Sequence, residues 1–121
     1  MKYIPTTKRA KAEISEILKN GTLQEKSDAL WSATCTVNDY KWAQELCHRY
    51  SESDEPLLRG CAIIGLSNIA RTTGKLDKAI AKPLLLRALK DENEIVRGKA
   101  QDAIDDVNHC FKWRIAMRKK G

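Results

Sequence analysis

Ala81-Lys82-Pro83-Leu84-Leu85-Leu86-Arg87-Ala88-Leu89-Lys90-Asp91-Glu92-Asn93-Glu94-Ile95-Val96-Arg97 is the stretch that decides the fold. Its apolar positions recur at three and four, the spacing of one helix face, and a polar turn interrupts them at Asp91-Glu92-Asn93. Asp77 is placed to cap a helix running to about Lys90, and a second helix follows from about Glu94 to Val107. The same pattern occurs 38 residues earlier. Leu58-Arg59-Gly60-Cys61-Ala62 falls on Val96-Arg97-Gly98-Lys99-Ala100, Leu66 on Ile104 and Ile69 on Val107. In the preceding helices Ala43 falls on Ala81 and Leu46 on Leu84, while Ala29 takes the place of Ala62 after a shift of 33. A two-helix unit at such a period predicts an α-solenoid.

The rest of the chain also reads as helix. A first helix over residues 7–19 turns Ile14, Ile17 and Leu18 inward and stops at Asn20-Gly21. Thr22 and Glu25 have capping-box spacing ahead of a second helix, to about Thr36, which buries Leu23, Ala29, Leu30 and Ala33. A third starts at Asn38 or Asp39 and carries Trp42, Ala43, Leu46, Cys47 and Tyr50. Pro56 sits in the first turn of a fourth, ending near Arg71 ahead of Gly74. Residues 108–120 continue the last helix or append a short basic one.

Pro83, Asp91 and Arg97, at spacings of eight and six, resemble the HEAT-repeat motif. The second unit keeps Arg59 but has Ser53 for the Asp and Glu45 for the Pro, and the first keeps only Lys26 and the spacing. The resemblance implies a bent first helix in each unit, with Asp and Arg tying adjacent turns together and Arg97 as the partner of Asp91. The implied fold is all-α: a single domain, a short right-handed solenoid of about three HEAT-like helix pairs. The pairs cover residues 7–37, 38–71 and 77–107, with a short basic helix or cap over 108–121.

A chain of 121 residues with 42% apolar side chains is enough for one domain with one core. No apolar run reaches the ~18 residues of a membrane span, and no export signal is expected at the start. Cys35, Cys47, Cys61 and Cys110 are widely spaced, as expected of reduced thiols in a cytosol. The net charge of +6 is unevenly placed. Lys2, Lys8, Arg9 and Lys11 at one end, and Lys112, Arg114, Arg118, Lys119 and Lys120 at the other, leave a body with 13 basic and 16 acidic residues. A nucleic-acid reader spreads its cations along a binding face, so the overall charge overstates that class.

Enzyme templates fail on spacing: there is no glycine-rich phosphate loop and no serine in a nucleophile elbow. Cys47-His48 and His109-Cys110 are adjacent pairs, and neighbours on a helix diverge by about 100°, so a zinc site is not expected. Acids cluster at Glu52/Asp54/Glu55, at Asp91/Glu92/Glu94 and at Asp102/Asp105/Asp106. These acids either favour helix starts on a solvated face or, the first two clusters being equivalently placed, form an acidic edge able to hold a basic partner. Trp31 and Trp42 are expected in the core, and Trp113 with Phe111 either caps the last apolar face or, with the basic tail, touches RNA, a lipid surface or a protein groove. Ile63 either packs within a central helix or stands exposed as an anchor.

The expected function is a non-enzymatic protein-binding module without cofactor, metal or membrane attachment, acting in the cytoplasm. Its size and all-helical make-up resemble some bacterial immunity proteins, which block a cognate toxin domain, often a nuclease. The candidate partner-binding residues are Asp54, Glu55, Arg59, Ile63, Asp91, Glu92, Arg97, Gln101 and Asp105. The alternatives are nucleic-acid binding through the basic ends, by analogy with larger HEAT-like DNA glycosylases, and, last, a lyase related to bilin-attachment repeats.

Overall fold

The computed structural model describes residues 9–117, which form six α-helices and no strand. They are α1 (Lys11–Asn20), α2 (Leu23–Thr36), α3 (Tyr40–Tyr50), α4 (Pro56–Thr73), α5 (Lys78–Ala88) and α6 (Glu94–Phe111). Local chemistry sets their ends. Thr22 and Glu25 close the expected capping box, each side chain accepting from the other's backbone N–H at 3.1 and 2.8 Å. Asp39, Asp77 and Asn93 accept from first-turn N–H groups of α3, α5 and α6. Pro56 opens α4, where its missing N–H forfeits no helical bond. Gly74 closes α4 at φ 71°, a conformation that glycine adopts without strain.

α4 is the centre of the packing. It lies against α2, α3, α5 and α6, while α5 also rests on α3 and α6, and α1 on α2. One apolar cluster joins α3, α4, α5 and α6 through Cys47, Ile63, Leu66, Leu85 and Ile104. A second joins α1 and α2 to α3 and the start of α4 through Ile14, Leu30, Leu46 and Leu58. Being covered from several directions explains why α4 is apolar nearly all round. Gly65 marks the tightest approach: a Cβ there would lie 2.9 Å from Thr34 Cγ2 and 3.0 Å from Cys47 Sγ.

Several expectations need correction. Leu23 is exposed rather than buried, because the first turn of α2 lies at the edge of the molecule beside the equally exposed Thr22 and Gln24. α5 ends at Ala88, not Lys90; the chain tightens there, with Lys90 N donating to Arg87 O and Asp91 N to Ala88 O. α4 runs on to Thr73, and α6 runs past Val107 to Phe111. No separate basic helix follows α6 among the described residues. Lys112 turns to φ 60°, and Asn108 then clamps the returning chain, its side chain donating to Ile115 O and accepting from Ile115 N, both at 3.0 Å. Phe111, Trp113 and Ile115 recur at two, a spacing a helix would scatter round its circumference. Folded back instead, the segment buries Ile115 to 2% exposure and packs Phe111 and Trp113 on the core, their rings stacked at 4.8 Å. Residues 7–8 of the expected first helix and 118–120 of the expected last one lie outside the described residues.

Candidate partner-binding surface

The turns ahead of α4 and α6 share one piece of chemistry. Arg59, in the first turn of α4, donates from Nη1 back to Ser53 O at 3.0 Å. Its Nε and Nη2 grip the Asp91 carboxylate at 2.9 and 3.0 Å. Both side chains are well covered, at 15% and 13% exposure. Arg59's hydrogen bonds hold the Asp91 carboxyl below its ordinary range, and Asp91 in turn raises the guanidinium. Arg97 repeats the backward reach, donating from Nη1 to Asp91 O at 2.7 Å. It does not take the Asp91 carboxylate, as expected from the motif; Arg59 does.

Around this tie lies an excess of negative charge. Asp54, Glu55, Glu92 and Glu94 are exposed and form no salt bridge among the described residues. Glu52 is answered by Arg87 at 3.5 Å. A cleft of about 410 Å³ opens between the ends of α3 and α5 and the starts of α4 and α6, with Arg59, Asp91 and Glu92 on its walls. Ile63 lines it at only 2% exposure, so it belongs to the core and is not a projecting anchor.

The candidate residues therefore separate. Asp54, Glu55, Arg59, Asp91 and Glu92 share the turn edge, with Ile63 beneath it. Arg97, Gln101 and Asp105 lie on α6, where Gln101 Nε2 donates to Asp105 Oδ1 at 3.1 Å. Gln101 and Asp105 line another cleft, of about 500 Å³, together with Ile115 and Met117 of the returning tail. Two aliphatic residues were missed from the sequence. Leu57 and Ile95, second in α4 and α6 and related by the same 38-residue shift, are 43% and 67% exposed among these carboxylates. The register that matched Leu58 with Val96 already contained them.

Other titratable groups stand apart. Cys47 is fully buried on α3, which pushes its thiol well above the ordinary range, while Cys110 is exposed near the end of α6. Among the described residues no three His, Cys, Asp or Glu side chains are grouped to hold a metal ion. No described helix is long and apolar enough to cross a membrane.

No family model and no curated protein matches the chain. Among solved structures it is similar to a chain in the crystal structure of the CDI complex from Cupriavidus taiwanensis LMG 19424. The TM-score is 0.81 at 27% sequence identity, over 92% of this chain and 98% of that one. The likeness thus covers nearly the whole of both chains and is more than a shared helix pair.

Proposed function

We propose that this protein is the immunity half of a contact-dependent-inhibition toxin–immunity pair. It binds one toxin domain stoichiometrically in the cytoplasm and blocks it without catalysing a reaction. The observation that carries this reading is the near-complete mutual coverage with a chain of a CDI complex. A nuclease is the toxin class that suits the turn edge best, because a cleft that binds nucleic acid is basic and Asp54, Glu55, Glu92 and Glu94 would meet it with unpaired carboxylates. The helices pair as α1–α2, α3–α4 and α5–α6 in a short HEAT-like stack. The shared backward reach of Arg59 and Arg97, and the Arg59–Asp91 tie between successive turns, support that arrangement.

The test is capture from native lysate on the tagged protein at ~50 and ~300 mM salt, with protein and nucleic acid read separately. A single stoichiometric polypeptide that survives the higher salt is expected. Expressed alone it should arrest growth, and co-expression of this chain should relieve the arrest. Nucleic acid alone, lost at the higher salt, would overturn the reading in favour of the basic ends.

A further inference from the structure

The face with which α4 receives α6 has a counterpart on α6 that no further helix covers among the described residues. On α4 the face is built from Arg59, Gly60, Ile63 and Ser67. Arg59 grips Asp91 in the turn ahead of α6, and Ser67 Oγ donates to Asp106 at 3.0 Å. Gly60 faces side chains of α6: a Cβ there would meet Lys99 Cγ at 3.6 Å and Val96 Cγ2 at 4.0 Å. A shift of 38 carries this set to Arg97, Gly98, Gln101 and Asp105.

Arg97 already holds the receiving posture. Its Nη1 is tied to a carbonyl six residues back, as that of Arg59 is. The other edge of its guanidinium, the one Arg59 uses on Asp91, makes no hydrogen bond or ion pair among the described residues. Beside it, a Cβ on Gly98 would meet nothing within 4 Å. Ile115 and Met117 of the tail line a cleft with Gln101, Ile104, Asp105 and Asn108 further along α6, while Arg97 and Gly98 are exposed ahead of it.

We propose that this end of α6 is where the toxin domain docks a helix, its preceding turn presenting an Asp or Glu to Arg97 and its side chains resting over Gly98. The inference rests on the immunity reading and deepens it. Charge decides the occupant. A free guanidinium edge asks for a carboxylate, and Asp105, eight residues or about 12 Å along the helix, takes Gln101 Nε2 on Oδ1 and has a second oxygen for a hydroxyl or a cation. A second copy of this chain fits poorly, because the turn it would offer, ahead of α2, carries Asn20-Gly21 where α6 is preceded by Asp91.

The test is calorimetric titration of the purified toxin domain recovered in the capture experiment. Arg97→Glu should weaken binding about 100-fold or more, and Arg97→Lys, which keeps the charge but loses the fork, about tenfold. Gly98→Leu should weaken binding at least about tenfold while the free chain melts no lower than wild type, a separation that a merely structural glycine would not give. Arg49→Glu, on an exposed part of α3, should stay within about twofold. Wild-type binding with Arg97→Glu and Gly98→Leu both within twofold would overturn this docking site and leave the immunity reading intact. A wild-type chain that binds no toxin domain would overturn both.

Discussion

Asp91 takes two side-chain hydrogen bonds from Arg59, at 2.9 and 3.0 Å, while its backbone carbonyl accepts from Arg97 at 2.7 Å. One residue thus connects the start of α4 to the start of α6, by its carboxylate to one arginine and by its main chain to the other. The covered, bidentate contact is the stronger of the two.

The two arginines should therefore differ in what they do for stability. Arg59→Ala and Asp91→Ala should each destabilise the chain, with a coupling of about 1–3 kcal/mol in a double-mutant cycle. Arg97→Ala, which loses one exposed hydrogen bond, should cost about 1 kcal/mol or less. Denaturant melts of the four variants measure this. If Arg97→Ala proved as damaging as Arg59→Ala, the assignment of the tie would be wrong. The pair also predicts acid sensitivity. The Asp91 carboxyl is lowered in the folded chain, chiefly by Arg59, so its contribution is complete above the ordinary carboxylate value near pH 4 and is lost as pH falls through the folded value. Asp91→Asn should flatten part of that acid limb. Asp39, lowered by its bond to Lys11, should retain a share of it.

Two helical glycines should respond oppositely to the same substitution. Gly65→Ala would place a methyl 2.9 Å from Thr34 Cγ2 and 3.0 Å from Cys47 Sγ, between α2 and α3. The overpacking should outweigh the better helix propensity and destabilise by about 1–3 kcal/mol. Gly60→Ala reaches only ordinary contact distances and should stabilise by about 0.5–1 kcal/mol. Thermal melts that moved in the same direction would contradict this account of how closely α4 is approached.

The helices were legible because their signals are local. Thr22 with Glu25, Asp77, Pro56 and Gly74 each act within a turn of their own position, and the structure uses all of them. The 38-residue register was legible too, and it correctly aligned Arg59 with Arg97. What alignment does not contain is which copy of a face has a neighbour. Ile63 and Gln101 occupy equivalent positions, yet only Ile63 is in the core, because α4 has α6 beside it and α6 has no seventh helix among the described residues. The same blindness assigned the Asp91 carboxylate to Arg97, six residues away, when the arginine that reaches it is 32 residues away in sequence. The tail was legible in part: α6 continues to Phe111 and Phe111 with Trp113 packs on the core, but burial of Ile115 and the double bond from Asn108, which act after the helix ends, decided the path beyond Lys112.

Reversing charge on the turn edge should separate binding from folding. Glu55 and Glu92 are exposed and make no salt bridge among the described residues, so Glu55→Lys with Glu92→Lys should leave helicity unchanged by circular dichroism. Affinity for the proposed toxin partner should fall at least about tenfold, and its salt dependence should shrink. An unaltered dissociation constant in the double variant would remove the acidic edge from the interface and leave the α6 end face to account for binding.

The returning tail should behave as part of the core. Ile115 is 2% exposed within the cluster that joins α3 to α6, and Asn108 satisfies both its backbone N–H and its carbonyl. Ile115→Ala should cost about 2–4 kcal/mol through the cavity it leaves. Asn108→Ala should cost about 1–3 kcal/mol by orphaning those two backbone groups. The two losses should be less than additive, because once the clamp is gone Ile115 is already partly released. Amide hydrogen exchange gives the matching readout: Ile115 N–H should be protected in the wild type and exchange far faster in Asn108→Ala. If the melts of both variants matched wild type, residues 112–117 would be detached from the core in solution, and the cleft they form with Gln101 and Asp105 would not persist.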